Sequence, residues 1–286
     1  MSIIVTGATG HLGRLIVESL LNRGIEPAQI TATGRSLEKL ADLAERGVAT
    51  AAFDFDAPAE GVIGAGDTVM LVSGSEVGQR ARQHGNVIEA AKKAGAARIV
   101  YTSILDASGS PLVLAPEHKA TEELLAASGL PHTILRNGWY TENYLSAFGQ
   151  AAATGTVLGS AGEGRVSAAT RADYAEAAAA VLTADGHEGR VYELAGDEAF
   201  TLAGLADAFG QALGRDVAYT DVDADAHRAA LAGAGLDKGT AGFLVALDAD
   251  TAGNLLLSDS KDLSTLIGRP TTPLVDAVKS WAAESN

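Results

Sequence analysis

Three evenly spaced glycines stand near the N-terminus, in the segment Val5–Gly13 that reads VTGATGHLG. A short apolar run precedes them at 3–5, and apolar residues follow them with the period of a helix. A strand, a glycine turn and a helix in this order let backbone N–H groups approach a pyrophosphate, at which the helix directs its positive end. We therefore predict a dinucleotide-binding turn here, the alternative being an ordinary glycine turn.

The residues after the second apolar run distinguish the two nicotinamide cofactors. The segment 31–36 reads TATGRS, with no acidic residue where the adenosine ribose hydroxyls of NAD would need one. Arg35 stands one residue beyond that place, and a guanidinium beside small polar residues suits a 2′-phosphate. We therefore predict NADPH as the cofactor. The alternative is a solvated arginine at the start of a helix.

Acidic and small residues follow the third and fourth predicted strands. Asp54 and Asp56 are placed either to reach the adenine amino group or to form a turn. The segment 72–75, VSGS, has small residues that would let the backbone pass close to the nicotinamide ribose, or it is a simple turn. Both strand ends are therefore candidate cofactor contacts.

The fifth predicted strand ends at 101–103, YTS, where Ser103 is placed to donate a hydrogen bond to a reacting carbonyl. In the short-chain dehydrogenase/reductase superfamily a Tyr-x-x-x-Lys pair follows on the next helix. When Glu122 takes the usual acidic position of that helix, Leu114 and His118 stand where the Tyr and the Lys would be. Lys119 is adjacent to His118, but a helix directs it elsewhere. The usual tyrosine acid is therefore absent.

Aromatic and amide side chains follow the sixth predicted strand, in the segment 135–144 that reads LRNGWYTENY. We interpret this segment as a wall over the nicotinamide, with a flat acceptor ring stacked between the cofactor and the aromatic rings. The alternative is an aromatic corner that packs in the core. Arg171 begins a later predicted helix, where it either fixes the glycine-rich loop before it or reaches a phosphate.

Alternating strand-like and helix-like runs position these residues through the first half of the chain. This alternation is typical of an α/β fold, a Rossmann-type doubly wound parallel sheet whose ligands bind at the carboxyl ends of the strands. The connection 54–66, rich in Gly, Pro and Asp, predicts a poorly regular crossover. The predicted strands are 2–6, 30–33, 49–53, 67–73, 97–102 and 132–135, and the predicted helices are 12–22, 36–46, 79–94 and 117–128.

The alternation changes after about residue 145. We predict an NADP-binding Rossmann domain over 1–150, and over 151–286 the last Rossmann elements interleaved with a smaller, mostly helical C-terminal lobe that binds the substrate. The elements predicted in this half are helices at 172–184, 201–213, 223–233, 238–248 and 273–283 and strands at 191–195 and 217–220.

Composition excludes several classes of function. The 286 residues carry a net charge of −15, which argues against nucleic acid and anionic membranes as partners. With no cysteine, the chain has no disulfide, no thiolate chemistry and no cysteine-ligated metal, and we expect no metal site. Neither a membrane-spanning run nor a signal segment is evident, and the cytoplasm is the expected location.

Longer motifs identify the resemblance. The chain resembles the type 2 NAD(P)H:quinone oxidoreductases, in the NmrA-like, atypical branch of the short-chain dehydrogenase/reductase superfamily. More distantly it is similar to triarylmethane dye reductases, which share the glycine motif, a His at 118 and the LRN at 135–137. The motifs are GATGHLG, SGSEVGQRA with the following QH, NVI and AAK within 73–92, YTS at 101–103, LAPEHKATE at 114–122, LRNGWYTENY at 135–144, ATRADYAEAAA at 169–179, GHEGRVYELAG at 186–196 and LIGRPTT at 266–272.

This resemblance implies an NADPH-binding domain and a small C-terminal lobe with the acceptor between them. It implies a small quinone-like acceptor as the partner, and we expect a monomer or a homodimer. The cofactor contacts that it implies by position are Gly7, Ala8, Thr9, Gly10, His11, Leu12, Arg35, Ser73, Gly74, Ser75, Asn137, Gly138, Trp139, Tyr140, Thr141, Glu142 and Arg171.

The missing tyrosine favours one kind of hydride acceptor. Ketone reduction leaves a strongly basic alkoxide that demands a proton donor, whereas quinone reduction leaves a weakly basic hydroquinone monoanion and a cationic dye needs no proton. Positioning the acceptor ring against nicotinamide C4 then supplies most of the catalysis. His118, Asn137 and Tyr140 are the candidates to orient or protonate the acceptor. A non-catalytic NADP(H)-binding redox sensor remains the alternative, as does a carbonyl reductase.

Overall fold

The computed structural model describes residues 2–284, which form eleven strands and eleven α-helices. The strands are β1 (Ile3–Val5), β2 (Ile30–Gly34), β3 (Ala49–Ala52), β4 (Thr68–Leu71), β5 (Arg98–Ile104), β6 (His132–Asn137), β7 (Thr156–Gly159), β8 (Arg165–Val166), β9 (Val191–Leu194), β10 (Phe200–Thr201) and β11 (Ala218–Asp221). The helices are α1 (His11–Asn22), α2 (Ala41–Glu45), α3 (Arg80–Ala94), α4 (Ala115–Ser128), α5 (Leu145–Thr154), α6 (Arg171–Thr183), α7 (Leu202–Leu213), α8 (Ala224–Gly233), α9 (Lys238–Ala252), α10 (Asp262–Ile267) and α11 (Leu274–Glu284).

Seven of the strands form one parallel sheet, in the order β3-β2-β1-β4-β5-β6-β9. The chain moves outward from β1 to β3, then returns to β4 and continues outward on the other side of β1. The strand order therefore reverses between β1 and β4, which is the point where open α/β sheets bind their ligands. This topology confirms the predicted α/β, doubly wound fold.

Two short sheets lie outside the parallel one. β10 pairs with β8 in antiparallel fashion, and β11 pairs with β7 in parallel. The structure differs from the predicted elements mainly in the connections. Over 36–46 it forms a 3-10 turn at Leu37–Leu40 followed by the short α2, and α5 and α10 were not predicted. The connection 54–66 contains neither helix nor strand, as predicted.

The chain divides into two compact units. Unit 1 comprises the residues up to 137 together with 171–194 and 262–269. Unit 2 comprises 138–170, 195–261 and the residues from 270 onward. Unit 1 contains the whole parallel sheet, because β9 returns to pair with β6. The division into an NADP-binding domain over 1–150 and, over 151–286, the last Rossmann elements interleaved with a small substrate-binding lobe stays a prediction.

The core of unit 1 lies on both faces of its sheet. Strands buried on both faces read as continuous apolar runs, such as Val69, Met70 and Leu71 of β4, which are fully buried. Helices α3 and α4 pack against each other, and α1 packs against α6. Nine of the thirteen residues of α6 are buried, five of them alanines, so its helical axis can approach its neighbour closely.

Unit 2 has a separate aromatic core. Phe148 of α5 meets Phe209 of α7 edge to face, with ring centroids 5.2 Å apart. Phe148 also meets Trp281 of α11, with centroids 5.8 Å apart. These three rings are more than nine-tenths buried and tie three helices of the unit together.

Candidate functional site

The glycine turn after β1 is shaped so that side chains would not fit. Gly7 has a φ of +63°, a left-handed conformation that favours glycine, and its carbonyl accepts the N–H of Gly10 at 2.9 Å. A Cβ at Gly13 would lie 2.4 Å from the Gly7 carbonyl oxygen, so α1 can approach the turn only because position 13 is glycine. Gly10 caps α1 without a side-chain hydrogen bond, which leaves the positive end of the helix without a side-chain acceptor there.

The end of β2 contacts this turn directly. A Cβ at Gly34 would lie 2.5 Å from Thr9 Cγ2, and the N–H of Ala8 donates to the carbonyl of Thr33 at 2.8 Å. An acidic side chain at position 34 is therefore sterically excluded. The next residue, Arg35, is 65% exposed, and its Nη1 lies 2.9 Å from Glu76 Oε1. The chain thus places an accessible guanidinium beside the glycine turn.

The loop after β4 is held by side chains from neighbouring elements. The N–H of Ser73 donates to Thr102 Oγ1 at 2.8 Å, and the N–H of Gly74 donates to His84 Nε2 at 3.0 Å. The carbonyl of Gly74 accepts a hydrogen bond from Arg80 Nε at 2.5 Å. These three bonds hold the backbone in place, whereas the side chain of Ser75 is exposed.

Predicted cofactor contacts from unit 1 therefore meet at one edge of the sheet. The glycine turn, Arg35 and the loop 73–75 follow β1, β2 and β4, which are neighbours in the sheet. Asp54 accepts the N–H of Asp56 at 2.9 Å, as the turn-forming alternative predicts. Asp56 pairs with Arg82 at 2.6 Å, and the guanidinium keeps the pKa of this exposed carboxyl below its usual range.

His118 lies on the inner face of α4, against β5. Its Nδ1 is 2.8 Å from the hydroxyl of Tyr101, and both side chains are buried. Burial, together with the nearby Arg80 guanidinium, lowers the pKa of His118 to about 3. Burial also raises the pKa of the Tyr101 phenol. Both groups are therefore uncharged at neutral pH. Leu114 caps the same helix, while Lys119 is exposed, as the helical geometry predicts.

His84 forms a second buried polar chain beside this pair. Thr121 Oγ1 donates to the carbonyl of Glu117 at 2.9 Å, so it accepts the proton of His84 Nδ1, also at 2.9 Å. His84 Nε2 is then the acceptor for Gly74. Burial lowers the pKa of His84 to about 4, which keeps this ring neutral and the acceptor available.

Ser103 does not have the role predicted from its position. Its hydroxyl donates to Glu122 Oε1 at 2.6 Å. Arg136 contacts both oxygens of Glu122, at 3.0 and 2.7 Å, and also Glu193 at 2.7 Å. A serine has one O–H, so Ser103 has no donor left for a carbonyl acceptor. The residue instead belongs to a charged network that joins β5, α4, β6 and β9.

The predicted aromatic wall begins where unit 1 ends. Asn137, the last residue of β6, is buried in unit 1, and the residues from Gly138 to Glu142 belong to unit 2. Within unit 2 the backbone is extended at Tyr140, which pairs with Ala169, and Thr141–Tyr144 form a short 3-10 helix. The N–H of Thr141 donates to the Ala169 carbonyl at 2.9 Å, and that of Ala169 donates to Trp139 at 3.1 Å.

The three aromatic side chains of this segment, Trp139, Tyr140 and Tyr144, are all half-buried. Trp139 donates a side-chain hydrogen bond to Tyr144, whose ring meets Phe200 with centroids 5.9 Å apart. Burial raises the pKa of the Tyr144 phenol. Trp139, Tyr140 and Glu142 are half-buried, whereas Thr141 is buried. The packing alternative therefore describes Tyr144, and the predicted acceptor contacts of Trp139 and Tyr140 stay a prediction.

Arg171 is the first residue of α6 and is half-buried. Because α6 packs against α1, the segment 171–194 shares a core with the N-terminal segment of unit 1. Asp173 in the first turn is fully buried and pairs with Arg269 at 2.8 Å. Asp173 therefore holds α6 in unit 1 through an ion pair, and the cofactor contact of Arg171 stays a prediction.

Unit 2 contains a Ser, His and Asp cluster that is not a hydrolytic triad. Ser160 Oγ lies 3.0 Å from His227 Nδ1, and Asp248 Oδ2 lies 3.2 Å from the same nitrogen. A triad needs the histidine to bridge the two groups through its two different nitrogens.

The described residues contain no group of three His, Cys, Asp or Glu side chains that could hold a metal, and no helix among them is long and apolar enough to cross a bilayer.

Comparison with known proteins assigns the family. A family model described as NAD(P)H-binding matches residues 7–185, more than half of the chain. The chain belongs to this NAD(P)H-binding family. Quinone oxidoreductase 2 of Escherichia coli K12 is 46% identical over 278 residues, which cover 96% of this chain and 97% of that protein.

Two solved structures of related proteins have the same fold. The NADPH-dependent quinone oxidoreductase of Escherichia coli, complexed with NADPH, matches with a TM-score of 0.92 at 46% identity, covering 97% of this chain and 99% of that one. The triphenylmethane reductase of Citrobacter sp., complexed with NADP(H), matches with a TM-score of 0.93 at 32% identity, covering 98% of this chain and 100% of that one. The predicted resemblance to quinone oxidoreductases and the more distant one to dye reductases are confirmed.

The residues of unit 1 fit the cofactor of the NAD(P)H-binding family. The turn at Gly7 and Gly13 has no room for side chains, and Gly10 leaves α1 without a side-chain cap, as a pyrophosphate cradle requires. Arg35 supplies an accessible cation next to it, as a 2′-phosphate requires. The site therefore fits NADPH.

The residues that hold the loop after β4 were not among the predicted site residues. His84, Arg80 and Thr102 each bond its backbone, and Glu117 accepts the N–H groups of Gly78 and Arg80 at 2.9 and 3.2 Å. Two of them lie in the QRA and QH motifs shared with quinone oxidoreductases. Those motifs were the available signal, because polar residues facing one side of a predicted helix next to a candidate site indicate a supporting role.

Proposed function

We propose that this protein is an NADPH-dependent oxidoreductase that transfers a hydride to a quinone or a similar flat conjugated acceptor. The observation that carries the proposal is the absence of a tyrosine acid beside a well-formed cofactor edge. Leu114 stands at the tyrosine position, and the buried, neutral His118 stands at the lysine position. Such a site suits acceptors whose reduced form is a weak base.

The residues of unit 1 hold the cofactor in this proposal. Backbone N–H groups of the glycine turn and the positive end of α1 bind the pyrophosphate, and Arg35 binds the 2′-phosphate. The loop from Ser73 to Ser75 contacts the ribose next to the nicotinamide. Asn137 and Arg171 provide the remaining cofactor contacts from unit 1. When bound, NADPH supplies the hydride from C4 of its nicotinamide ring.

His118, Asn137 and Tyr140 orient or protonate the acceptor. A histidine held neutral by burial is a hydrogen-bond partner rather than a strong acid, which suffices for a hydroquinone monoanion. The hydroxyl of Tyr101 fixes the orientation of the His118 ring from the buried side. Trp139 and Tyr140 supply the stacking surface for a flat ring.

The remaining properties follow from this chemistry. The partner is a small quinone-like molecule, and the chain acts as a monomer or a homodimer. The cytoplasm, which supplies NADPH, is the compartment that suits the reaction. Reduction of triarylmethane dyes is a second candidate activity, which the 32% identity to the Citrobacter reductase favours.

Oxidation of NADPH with and without benzoquinone tests the proposal. We expect NADPH absorbance to stay constant with protein alone and to fall with turnover once benzoquinone is added. An anaerobic cuvette and a reaction without protein control for oxygen and for direct reduction. Tight NADPH binding without turnover of any quinone would overturn the proposal in favour of a redox sensor.

A further inference from the structure

The ion pair between Arg35 and Glu76 connects the segments that follow β2 and β4. These two strands flank β1 in the sheet, and the glycine turn follows β1. The pair therefore joins the two sides of the predicted cofactor edge. Arg35 Nη1 lies 2.9 Å from Glu76 Oε1, and the two side chains are 65% and 42% exposed.

Glu76 is held in place from the other side by α3. Its Oε2 accepts a hydrogen bond at 3.0 Å from Nε2 of Gln83, a side chain that is almost completely buried. One carboxylate oxygen is thus anchored on a buried amide, while the other contacts Arg35. A free, exposed carboxylate would have moved with solvent, so this geometry presents a fixed negative charge to the guanidinium.

We propose that Glu76 is a specificity-determining residue that competes with the 2′-phosphate of NADPH for Arg35. The inference rests on the proposed function, in which Arg35 binds that phosphate. A carboxylate on one nitrogen of the guanidinium removes a donor and repels an incoming dianionic phosphate. NADH has no 2′-phosphate and does not compete for Arg35. Glu76 therefore narrows the preference for NADPH over NADH that Arg35 creates.

Binding titrations of NADPH and NADH to the whole chain test this competition. Glu76→Gln keeps the shape of the side chain and the acceptor for Gln83 but removes the charge. Because exposed ion pairs are weak, we expect NADPH to bind about two- to five-fold more tightly, with NADH affinity unchanged. Arg35→Ala should weaken NADPH binding by about ten-fold or more and leave NADH nearly unchanged.

Glu60→Gln is the matched control. Glu60 forms an exposed ion pair with Lys93 at 2.8 Å. Lys93 lies in the last turn of α3, at the opposite end of this helix from Arg80. The Glu60→Gln substitution removes the same charge from the molecule as Glu76→Gln, and we expect it to change the affinity for neither NADPH nor NADH. Circular dichroism of each variant verifies that the fold is retained.

Each remaining outcome identifies which idea fails. Weaker NADPH binding by Glu76→Gln would show that Glu76 orients Arg35 for the phosphate, and equal gains for both cofactors would show a general charge effect; either result overturns the competition. If Arg35→Ala leaves NADPH affinity unchanged, the proposed 2′-phosphate site is wrong. The proposed competition between Glu76 and the 2′-phosphate is then wrong as well.

Discussion

Two histidines of unit 1 are kept neutral by burial, and this has a consequence for stability. The pKa of His84 is lowered from 6.5 to about 4, and that of His118 to about 3. In the unfolded chain both rings take up protons as the pH falls below about 6.5, whereas in the folded chain they resist protonation. The unfolded state therefore binds more protons in this window, and the stabilising contribution is present above it and lost as the pH falls.

Urea unfolding at pH 7 and pH 5 measures this effect. We expect each of the two histidines to lower the free energy of unfolding by roughly 1–2 kcal/mol over that interval. His84→Gln, which retains an acceptor for Gly74, should reduce the pH dependence of the free energy of unfolding. An unchanged pH dependence in His84→Gln would contradict the assignment of this effect to His84.

The residue types predicted the cofactor better than they predicted which side chains form hydrogen bonds with each other. Arg35 indicated the 2′-phosphate because its type and its place after a strand are both local properties. The partners of Ser103 and Gly74 could not be predicted in the same way. Glu122 lies on α4, the helix that follows the strand of Ser103, and His84 lies on α3, the helix that follows the loop of Gly74. The sequence places these helices next along the chain, but only their packing decides which of their side chains face the strand and the loop.

At the scale of the element, the glycine turn separates two kinds of constraint. Gly10 has an extended backbone that any residue can adopt, and a Cβ there would lie 3.3 Å from the Gly7 carbonyl oxygen. Gly13 is tighter, because its Cβ would approach the same oxygen to 2.4 Å. Gly13 is therefore needed for the packing of α1 against the turn, whereas the need for glycine at position 10 is predicted to come from the cofactor.

Gly10→Val and Gly13→Ala test this division. We expect Gly10→Val to retain a near-native circular dichroism spectrum while its NADPH affinity collapses, because a branched side chain stands where the backbone meets phosphate. Gly13→Ala should lower the melting temperature as well as the affinity, because α1 must move. Unaltered NADPH affinity in folded Gly10→Val protein would place the pyrophosphate elsewhere.

Elements were predictable where the hydrophobic pattern alone decides them. Parallel strands such as β2 and β5 are buried runs bounded by polar turns, and the predicted spans lie within two residues of the observed ends. The segment 36–46 was harder, because a 3-10 turn and the short α2 share the apolar spacing of one helix. The short α10 was missed because six residues carry too little periodicity to stand out.

At the scale of the whole molecule, the chain returns twice to complete its first unit. The segments 171–194 and 262–269 supply α6, β9 and α10 to unit 1, although they follow long stretches of unit 2. The change of alternation in the sequence indicated the interleaving of elements but not where each segment belongs, because that depends on pairing with distant strands. With a net charge of −15, the molecule as a whole repels an anionic cofactor, so any electrostatic attraction must come from local positive features.

The relative rates of quinone and ketone reduction test the central claim most directly. A steady-state panel with NADPH would compare benzoquinone, naphthoquinone, a triarylmethane dye and cyclohexanone at matched concentrations. Because Leu114 stands where the usual tyrosine acid would be, we predict rapid turnover of the quinones and little or none of cyclohexanone. If cyclohexanone reacts as fast as the quinones, the site contains a strong proton donor, and the proposed hydride transfer without the usual tyrosine acid is wrong.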